Sequence, residues 1–526
     1  MNHFVGVRIL NLMRPIILAI LDGWGYSPQT LGNAIKNAKT PVLDEITKNY
    51  PSLLLQASGT AVGMTWGESG NSEVGHLTLG AGRIIFQYLT KINEAIKSGS
   101  FSRSPVLKEL AGHIAKNQST LHLIGLLTSG SVHAYIDHLF ALLDFAKQTA
   151  EKVKVHLFLD GRDSGLKESI QLIEKVKEVM AKKGIGTLAT IIGRDYAMDR
   201  NNDWAKTEVT YRLLTEGQGE SVGDPVIRIK ELHAQGINDP DIPALLCDPE
   251  GYIHENDAIC FFNFREDSMR QLIKAFIQPE SGTFSHSIPN NLYIASMTQY
   301  VESESLHVLF PPPDVPNSLP ELVSKSGMNQ LHIAETEKYA HVTYFFNGLK
   351  NKPLQGETDV FIDSLHNILE HPEMKANEIA EKVIQELQRG YYGFYVLNFA
   401  NGDMLSHLGN LEIATKGIEA VDIAIGQIQN AILQAEGILI ITSDHGNAES
   451  LIYKGTGEKE TKHNDNPVPF YLIAKEFMRE RSEEDIAKNY TQAQGILADV
   501  APTVLELIGV QKPEEMTGSS LLSQLK

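Results

Sequence analysis

Two apolar runs near opposite ends of the chain constrain the fold most, because each leads into an aspartate in a glycine-containing turn. The first run, Ile16–Leu21, precedes Asp22, and the second, residues 437–443, precedes Asp444 and His445. Apolar runs without polar alternation are typical of strands buried on both faces of a parallel sheet. The carboxyl ends of such strands border one crevice, so we predict an α/β sheet in which these polar side chains lie close together.

Three further residues extend this set of candidate metal ligands. Asp403 and His407 follow the apolar run 395–399 and are four positions apart, which places them on one face if the segment is helical. His463 follows later. Taken singly, an aspartate in a turn is more often a turn former or a cap, and a lone histidine is more often a surface residue. Taken together, nitrogen and oxygen donors without a thiolate favour manganese or zinc over magnesium.

A glycine-rich segment, residues 67–76, contains the candidate nucleophile Ser72. Its glycines allow close approach of the backbone to a ligand, and a helix that begins near Asn71 and Ser72 would direct free N–H groups at an anion. A serine in such a turn is more often only a helix N-cap. The nearby metal ligands favour the nucleophile, because two ions about 3.5–4 Å apart can clamp the oxygens of a phosphoryl transfer.

The motifs ILDGWG, GNSEVGH, DGRD, YAMDR, ETEKYAHVT, NFANGDM and SDHGNAE, together with His463, resemble the cofactor-independent phosphoglycerate mutases of the alkaline-phosphatase-like metalloenzymes. The resemblance extends from about Pro15 to the C-terminus. It implies interconversion of 3-phosphoglycerate and 2-phosphoglycerate through a phosphoserine, with two manganese ions (or zinc or another divalent metal) and without 2,3-bisphosphoglycerate. By this resemblance one ion would be held by Asp403, His407 and His463, and the other by Asp22, Ser72, Asp444 and His445.

The distribution of these motifs predicts an inserted domain. A chain of 526 residues exceeds one ordinary core. We predict a discontinuous, alkaline-phosphatase-like three-layer α/β domain, residues 1–86 and 316–526, that carries the metal site. A second α/β domain, residues 87–315, would be inserted into it, because strand-like runs at 121–126 and 153–159 flank a helical segment at 136–149. The proline-rich run 310–316 reads as the return linker.

Cations follow apolar runs of the inserted segment and form a candidate substrate site. Arg162, Arg194, Arg200 and Arg265 each stand at a predicted strand exit, where guanidinium groups can bind carboxylate and phosphate oxygens. Any one of them could equally be a solvated surface charge. Asp163, next to Arg162, is the candidate general acid or base at the glycerate hydroxyls. The resemblance adds His133 and Lys338 to the substrate-binding residues.

Composition excludes several other classes of protein. A net charge of −19 disfavours binding to nucleic acid or to an anionic membrane. Two cysteines give no disulfide framework, so we expect a reducing, cytoplasmic compartment. The first 14 residues lack the pattern of a signal peptide and read as a short extension. We expect a monomer that acts on a small-molecule phosphoglycerate.

Three departures from the family pattern leave the substrate open. Ser268 stands where a second arginine is expected after Arg265, Tyr135 replaces a histidine, and Glu68 with Ser69 replaces Gln-Met. Arg270 is close enough in sequence to substitute for the missing arginine. One alternative is a related metal-dependent phosphomutase or phosphomonoesterase acting on another small phosphate. Another is a non-catalytic regulator that binds metal and phosphate, which the presence of Ser72 disfavours.

Overall fold

The chain is described by a computed structural model that covers residues 14–278, 280, 284–453 and 455–525. The predicted N-terminal extension falls almost entirely outside these residues. Sixteen strands form in the described part: β1 Ile16–Leu21, β2 Ser52–Gln56, β3 Leu121–Leu127, β4 Val153–Leu159, β5 Thr187–Gly193, β6 Glu220–Ser221, β7 Leu245–Leu246, β8 Ala258–Phe261, β9 Tyr293–Thr298, β10 His307–Phe310, β11 Gln330–Glu335, β12 Glu357–Ile362, β13 Phe394–Phe399, β14 Ile438–Thr442, β15 Val468–Ile473 and β16 Gly495–Ile496.

The same residues form eighteen α-helices. They are α1 Ala34–Asn37, α2 Pro41–Asn49, α3 Ser72–Ala81, α4 Tyr88–Lys97, α5 Pro105–Asn117, α6 Ile136–Thr149, α7 Ser169–Lys183, α8 Arg194–Ala197, α9 Trp204–Glu216, α10 Pro225–Ala234, α11 Arg270–Ile277, α12 Leu319–Lys325, α13 Ala376–Arg389, α14 Asn401–Ser406, α15 Leu411–Gln434, α16 Glu483–Asn489, α17 Val500–Ile508 and α18 Leu522–Leu525. Within the described segments, no helix has both the length and the apolar character needed to span a bilayer.

The chain divides into two compact units. Unit 1 ends at Phe86 and resumes at Pro313, and unit 2 spans Gln87–Pro312. The sequence predicted the return to the first domain at residue 316, and the units divide slightly earlier within the same proline-rich run. The strands and the helix predicted inside the inserted segment are confirmed as β3, β4 and α6.

Unit 1 is built on an eight-stranded sheet with the order β12-β11-β13-β1-β14-β15-β2-β16. The strand β1 lies parallel between β13 and β14, with Leu21 opposite Phe399 and Ile20 opposite Thr442. The strand β15 runs antiparallel to both β14 and β2. The central parallel strands therefore end at the same edge of the sheet.

Both faces of this sheet are covered, as the unbroken apolar sequence of β1 predicts. Ile17, Ala19 and Leu21 pack in one core cluster with apolar residues of α13 and α15. Ile16, Leu18 and Ile20 pack on the other face in a cluster that includes Val500 to Leu505 of α17. All six side chains are buried, so the predicted three-layer α/β arrangement is confirmed.

Unit 2 has its own eight-stranded sheet, with the order β10-β9-β8-β3-β4-β5-β7-β6. The strand β3 lies parallel between β8 and β4, and β4 is parallel to β5. A single core cluster contains the apolar residues of these strands and of the helices beside them. The segments that follow β4, β5 and β8 carry the four arginines predicted for the substrate site.

Candidate metal site and arginine cluster

The central strands of unit 1 deliver the predicted metal ligands to one edge of the sheet. Asp22 follows β1 directly, and Asp444 and His445 follow β14. Asp403 lies in α14, which begins two residues after β13, and His407 caps the end of that helix. The helical spacing predicted for Asp403 and His407 is therefore confirmed. Because β1 pairs with both β13 and β14, residues distant in sequence become neighbours.

Two glycines permit this close approach. Gly23 has a φ of +70°, and a Cβ atom there would lie 2.9 Å from the Cα atom of Asp403. Gly75 lies in α3, and a Cβ atom at that position would lie 2.6 Å from the carbonyl oxygen of Asp444. Any larger side chain would push α14 or α3 away, since Cβ atoms do not approach heavy atoms so closely.

The first predicted ligand group is assembled around Asp403. The Nε2 atoms of His407 and His463 each lie 3.1 Å from the Oδ1 atom of Asp403. The same two nitrogens are 3.1 Å apart. Both Nδ1 atoms bind backbone oxygens, that of His407 the oxygen of Thr461 and that of His463 the oxygen of Gly70. These bonds fix each ring so that Nε2 points at the carboxylate. Metal-binding histidines are commonly oriented by such a bond from the second ring nitrogen to a backbone oxygen.

The second predicted group surrounds Ser72, the first residue of α3. The Oγ atom of Ser72 lies 3.2 Å from the Oδ1 atom of Asp22 and 3.0 Å from the Nε2 atom of His445. That nitrogen is 3.5 Å from both Asp22 Oδ1 and Asp444 Oδ2, and 4.0 Å from Asp403 Oδ1. His445 thus lies between the two groups. The side chain of Asn71 caps α3 by accepting the N–H of Val74, so the helix does not require Ser72 as its N-cap.

Lys338 lies inside this site rather than in solvent. Its Nζ atom donates to Asp22 Oδ1 at 2.6 Å, to Ser72 Oγ at 2.7 Å and to Asp403 Oδ2 at 2.7 Å. Sequence reasoning placed Lys338 among the substrate residues, and the structure brings it to the carboxylates predicted to bind metal. Burial opposes a charge on this amine, but the carboxylates of Asp22, Asp403 and Asp444 outweigh burial and raise its pKa.

His76 is a residue of this site that sequence reasoning missed. Its Nδ1 atom lies 2.8 Å from the backbone oxygen of Ser72 and 3.3 Å from Asp444 Oδ2. The amide of Asn398 donates to its Nε2 atom at 3.0 Å and to Asp22 Oδ2 at 2.7 Å. Both ring nitrogens of His76 therefore contact protein atoms. His76 contacts Asp444 and Asn398 contacts Asp22, so these two residues help to hold the two carboxylates in place. Its spacing of four residues from Ser72 on α3 was the available signal.

The charges of the site shift the pKa values of its members. Burial lowers the pKa of His445, but the surrounding carboxylates of Asp444, Asp22 and Asp403 overcome this and raise it to about 9. The hydrogen bond to Asp403 raises the pKa of His407. Burial would raise the pKa of Asp444, yet His445, His76 and Lys338 hold it well below its usual range. Burial likewise opposes a charge on Asp403, but His407, His463 and Lys338 hold its pKa well below its usual range, so Asp403 and Asp444 remain ionised and available to cations.

The donor set fits divalent metal ions. Three carboxylates, a serine oxygen and imidazole nitrogens converge here, which is the chemistry of manganese or zinc sites. The Oδ2 atom of Asp444 is buried and accepts no hydrogen bond from the described residues, so it retains free ligand capacity. A separate group, His332, Glu357 and Asp359, is also compact. There both ring nitrogens of His332 already face oxygens within the protein, Val342 O at 2.7 Å and Gln330 Oε1 at 3.2 Å.

In unit 2, the structure joins three of the predicted substrate residues. The Nδ1 atom of His133 lies 2.7 Å from Asp163 Oδ2, and Arg194 Nη1 lies 3.3 Å from the same oxygen. Arg194 also pairs with Asp160, which accepts the backbone N–H groups of Arg162 and Asp163 as well. Asp160, which the sequence analysis did not single out, thus fixes the loop that carries Asp163.

The other three arginines predicted for the substrate site pair with two further aspartates. Arg162 contacts Asp195. Arg200 Nη1 lies 2.6 Å from Asp267 Oδ2, and Arg265 Nε lies 3.2 Å from Asp267 Oδ1. The same Oδ1 atom is 3.9 Å from His133 Nε2, so Asp267 links these arginines to the group around Asp163. We call Arg194, Arg200, Arg265, His133, Asp163 and Asp267 the arginine cluster. Asp195 and Asp267 were missed because no local pattern identifies the partner of an arginine.

Comparison with known proteins identifies the family to which this chain is related. Residues 14–512 match the family model of the metalloenzyme superfamily. The chain is 43% identical to the 2,3-bisphosphoglycerate-independent phosphoglycerate mutase 1 of Methanosarcina acetivorans, over 97% of this chain and 98% of the relative. It is 41% identical to the 2,3-bisphosphoglycerate-independent phosphoglycerate mutase of Clostridioides difficile, over 98% of this chain and all of the relative.

A solved structure shows the same fold along almost the whole chain. The phosphoglycerate mutase of Leishmania mexicana, determined at low cobalt concentration, superposes with a TM-score of 0.64 at 29% identity, covering 96% of this chain and 97% of that one. The chain therefore belongs to the metalloenzyme superfamily and, within it, to the 2,3-bisphosphoglycerate-independent phosphoglycerate mutases. The family resemblance and the α/β fold class drawn from the sequence are confirmed.

Proposed function

We propose that this protein carries out its reaction by passing a phosphoryl group through Ser72. The family relation assigns the reaction itself. The chain is an isomerase that interconverts 3-phosphoglycerate and 2-phosphoglycerate, a step of glycolysis, without 2,3-bisphosphoglycerate.

The position of Ser72 is the main support for transfer of the phosphoryl group through this residue. Its Oγ atom is buried between Asp22, His445 and Lys338, all within 3.2 Å. Nothing in the packing of α3 requires this hydroxyl, since Asn71 supplies the N-cap. An alcohol that lies beside an ammonium group and would coordinate a metal ion loses its proton more readily and can then attack phosphorus, which is the arrangement of an activated nucleophile. Lys338 then neutralises charge on the transferred group.

The protein depends on divalent metal, and we infer that two manganese ions are its natural complement, with zinc or another divalent metal as substitutes. Asp403, His407 and His463 would hold one ion, and Asp22, Ser72, Asp444 and His445 the other. When bound, such ions lower the pKa of a coordinated hydroxyl and stabilise phosphoryl oxygens. The mixture of imidazole and carboxylate supports this assignment, because magnesium prefers oxygen ligands alone.

Unit 2 supplies the residues that we propose for the glycerate. Arg162, Arg200 and Arg265 have partly exposed guanidinium groups that can bind a carboxylate or a phosphate. Arg194 is buried against Asp160 and Asp163, and it orients the second of these. Asp163, held by His133, would take a proton from one glycerate hydroxyl and return it to the other.

We also infer a cytoplasmic monomer. Cys247 and Cys260 are free thiols, which suits a reducing compartment. Light scattering during size-exclusion chromatography tests the monomer directly, and a mass of twice the chain mass would refute it.

The decisive experiment looks for phosphate on Ser72. Protein reloaded with manganese is mixed with 3-phosphoglycerate, quenched in acid, digested and analysed by mass spectrometry, while NMR follows 2-phosphoglycerate and free phosphate. We expect a phosphopeptide that contains Ser72, with 2-phosphoglycerate as the product. Chelated protein should form neither product. Rapid formation of 2-phosphoglycerate without any phosphoserine would refute the route, and free phosphate as the main product would identify a phosphomonoesterase instead.

A further inference from the structure

We propose that Asp267 is a positioning residue that aligns Arg200 and Arg265 to bind the anionic end of the substrate. This inference rests on the proposed function of the arginine cluster. Asp267 lies in the segment between β8 and α11, where Arg265 is assigned to the substrate site from the sequence but Asp267 is assigned no role. Its carboxylate contacts Arg200 at 2.6 Å and Arg265 at 3.2 Å through different oxygens. One carboxylate therefore holds two guanidinium groups side by side.

The carboxylate is itself held in place. The backbone N–H of Ser268 donates to its Oδ1 atom at 2.8 Å. Its side chain is 27% exposed, whereas those of Arg200 and Arg265 are 57% and 46% exposed. Asp267, which the backbone N–H of Ser268 holds in place, thus orders the side chains of Arg200 and Arg265. These long side chains would otherwise sample many rotamers in water. A side chain that is not ordered beforehand loses conformational entropy at the moment of binding, and this loss weakens the affinity.

The contacts leave the arginines free to bind a ligand. A guanidinium group has five N–H donors in a planar fork, and the contact with Asp267 engages one nitrogen of each group. The remaining donors can reach a carboxylate or phosphate in the bidentate manner that arginine favours. Asp267 therefore does not block the binding site as a competing anion would, because most N–H donors of each guanidinium group remain available to a ligand.

The charge of Asp267 persists at neutral pH. Partial burial would raise the pKa of this carboxyl, but Arg265, the N–H of Ser268 and Arg200 lower it below its usual range. Ser268, the residue after Asp267, makes the two arginines more important for substrate binding. Ser268 occupies the place where a further arginine was expected, and its Oγ atom is buried without a hydrogen-bond partner among the described residues. No guanidinium comes from that position, so the two that Asp267 aligns carry more of the binding.

The test compares Asp267→Asn with Glu266→Gln. Both variants remove one negative charge from adjacent positions, but Glu266 contacts Arg270 at 3.5 Å and neither aligned arginine. With 3-phosphoglycerate and manganese, we expect Asp267→Asn to raise KM about tenfold, with a much smaller change in kcat. Glu266→Gln should leave KM near the wild-type value. Asp267→Glu, which keeps the charge, should restore part of the affinity.

A binding measurement separates this inference from the proposed function. Calorimetric titration of 3-phosphoglycerate into Ser72→Ala protein, which cannot turn over, should show binding that weakens about tenfold when Asp267→Asn is added. If the Asp267→Asn proteins bind as tightly as their parents, or more tightly, Asp267 does not align the arginines and the inference is wrong. Equal weakening by Glu266→Gln would also overturn it, because the effect would then be general electrostatics. If the wild-type protein neither binds nor converts phosphoglycerate, the proposed function itself fails.

Discussion

The metal site of unit 1 gathers carboxylates and the arginine cluster of unit 2 gathers guanidinium groups, so the two sites carry charges of opposite sign. Each gathers like charges for a ligand of opposite charge, and each contains an internal counter-ion, Lys338 in one and Asp267 in the other. They differ in burial. Asp22, Asp444 and His445 are fully buried, while the arginine side chains that contact Asp267 are about half exposed.

This difference in burial determines how much each counter-ion contributes to the stability of its site. Removing one partner of a buried ion pair leaves an uncompensated charge and typically costs 3–5 kcal/mol. Exposed pairs contribute about 0–1 kcal/mol because water screens them. The metal site is therefore a rigid arrangement that is costly to disturb, and the outer arginines form an adaptable one. On the proposed route, the rigid site suits a nucleophile that must meet phosphorus in one geometry. The adaptable site suits a substrate whose two hydroxyls must be phosphorylated in turn.

Replacement of the nucleophile should give the largest effect. Ser72→Ala should reduce turnover by about 10⁴-fold or more, because the proposed route needs the hydroxyl for the chemistry while Asn71 caps the helix without it. Coupled assay of 2-phosphoglycerate formation measures the loss, and circular dichroism checks the fold. Ser69→Ala, in the same turn, is the matched control and should keep most of the activity. Normal turnover in the Ser72 variant would show that the rigid site acts without this residue.

Asp163→Asn should come next, with a loss of about 10²–10⁴-fold in mutase rate. Asparagine keeps the size of the side chain that contacts His133 but cannot act as a base. Since the proposed first transfer to Ser72 relies on residues of unit 1, phosphoserine should still appear in acid-quenched samples. Asp137→Asn, at an exposed position of α6, controls for a lost charge. A wild-type rate in Asp163→Asn would make this residue a structural part of its loop.

Lys338→Met tests the rigid counter-ion through stability rather than rate. In chelated protein, Asp22 and Asp403 lose their buried cation, so the free energy of unfolding should fall by about 3–5 kcal/mol. Manganese should recover much of this loss by supplying positive charge. Urea denaturation with and without metal measures both quantities. Lys350→Met, which breaks a more exposed pair with Glu321, is the control. Equal losses in the two variants would contradict the contrast in burial.

Asp195→Asn should have the smallest effect. It removes the partner of Arg162, whose side chain is 58% exposed, and should change the free energy of unfolding by less than about 1 kcal/mol. The same urea denaturation measures it, and 0.5 M salt should reduce the difference further. A loss comparable to that of Lys338→Met would show that the exposed pairs of unit 2 are structural.

The sequence predicted best what local patterns encode. Asp22, Asp444 and His445 were found because buried strands are recognisable and their ends share one edge, and α14 places Asp403 and His407 as their spacing requires. The location of Lys338 could not be derived, because the direction of a lysine in a short turn depends on the strands around it. Asp195 and Asp267 were missed for a related reason, since ion pairs between separate loops leave no periodic signal.

The central position of β1 has a consequence for how the protein is made. This strand is completed early in synthesis, yet both of its hydrogen-bonding partners, β13 and β14, lie in the last third of the chain. At the usual 5–20 residues per second, a ribosome needs roughly 20–80 s to deliver them. During that time the continuous segment Gln87–Pro312 can fold alone, while six consecutive apolar residues of β1 remain without their sheet. The nascent chain must keep this strand from aggregating until its partners emerge.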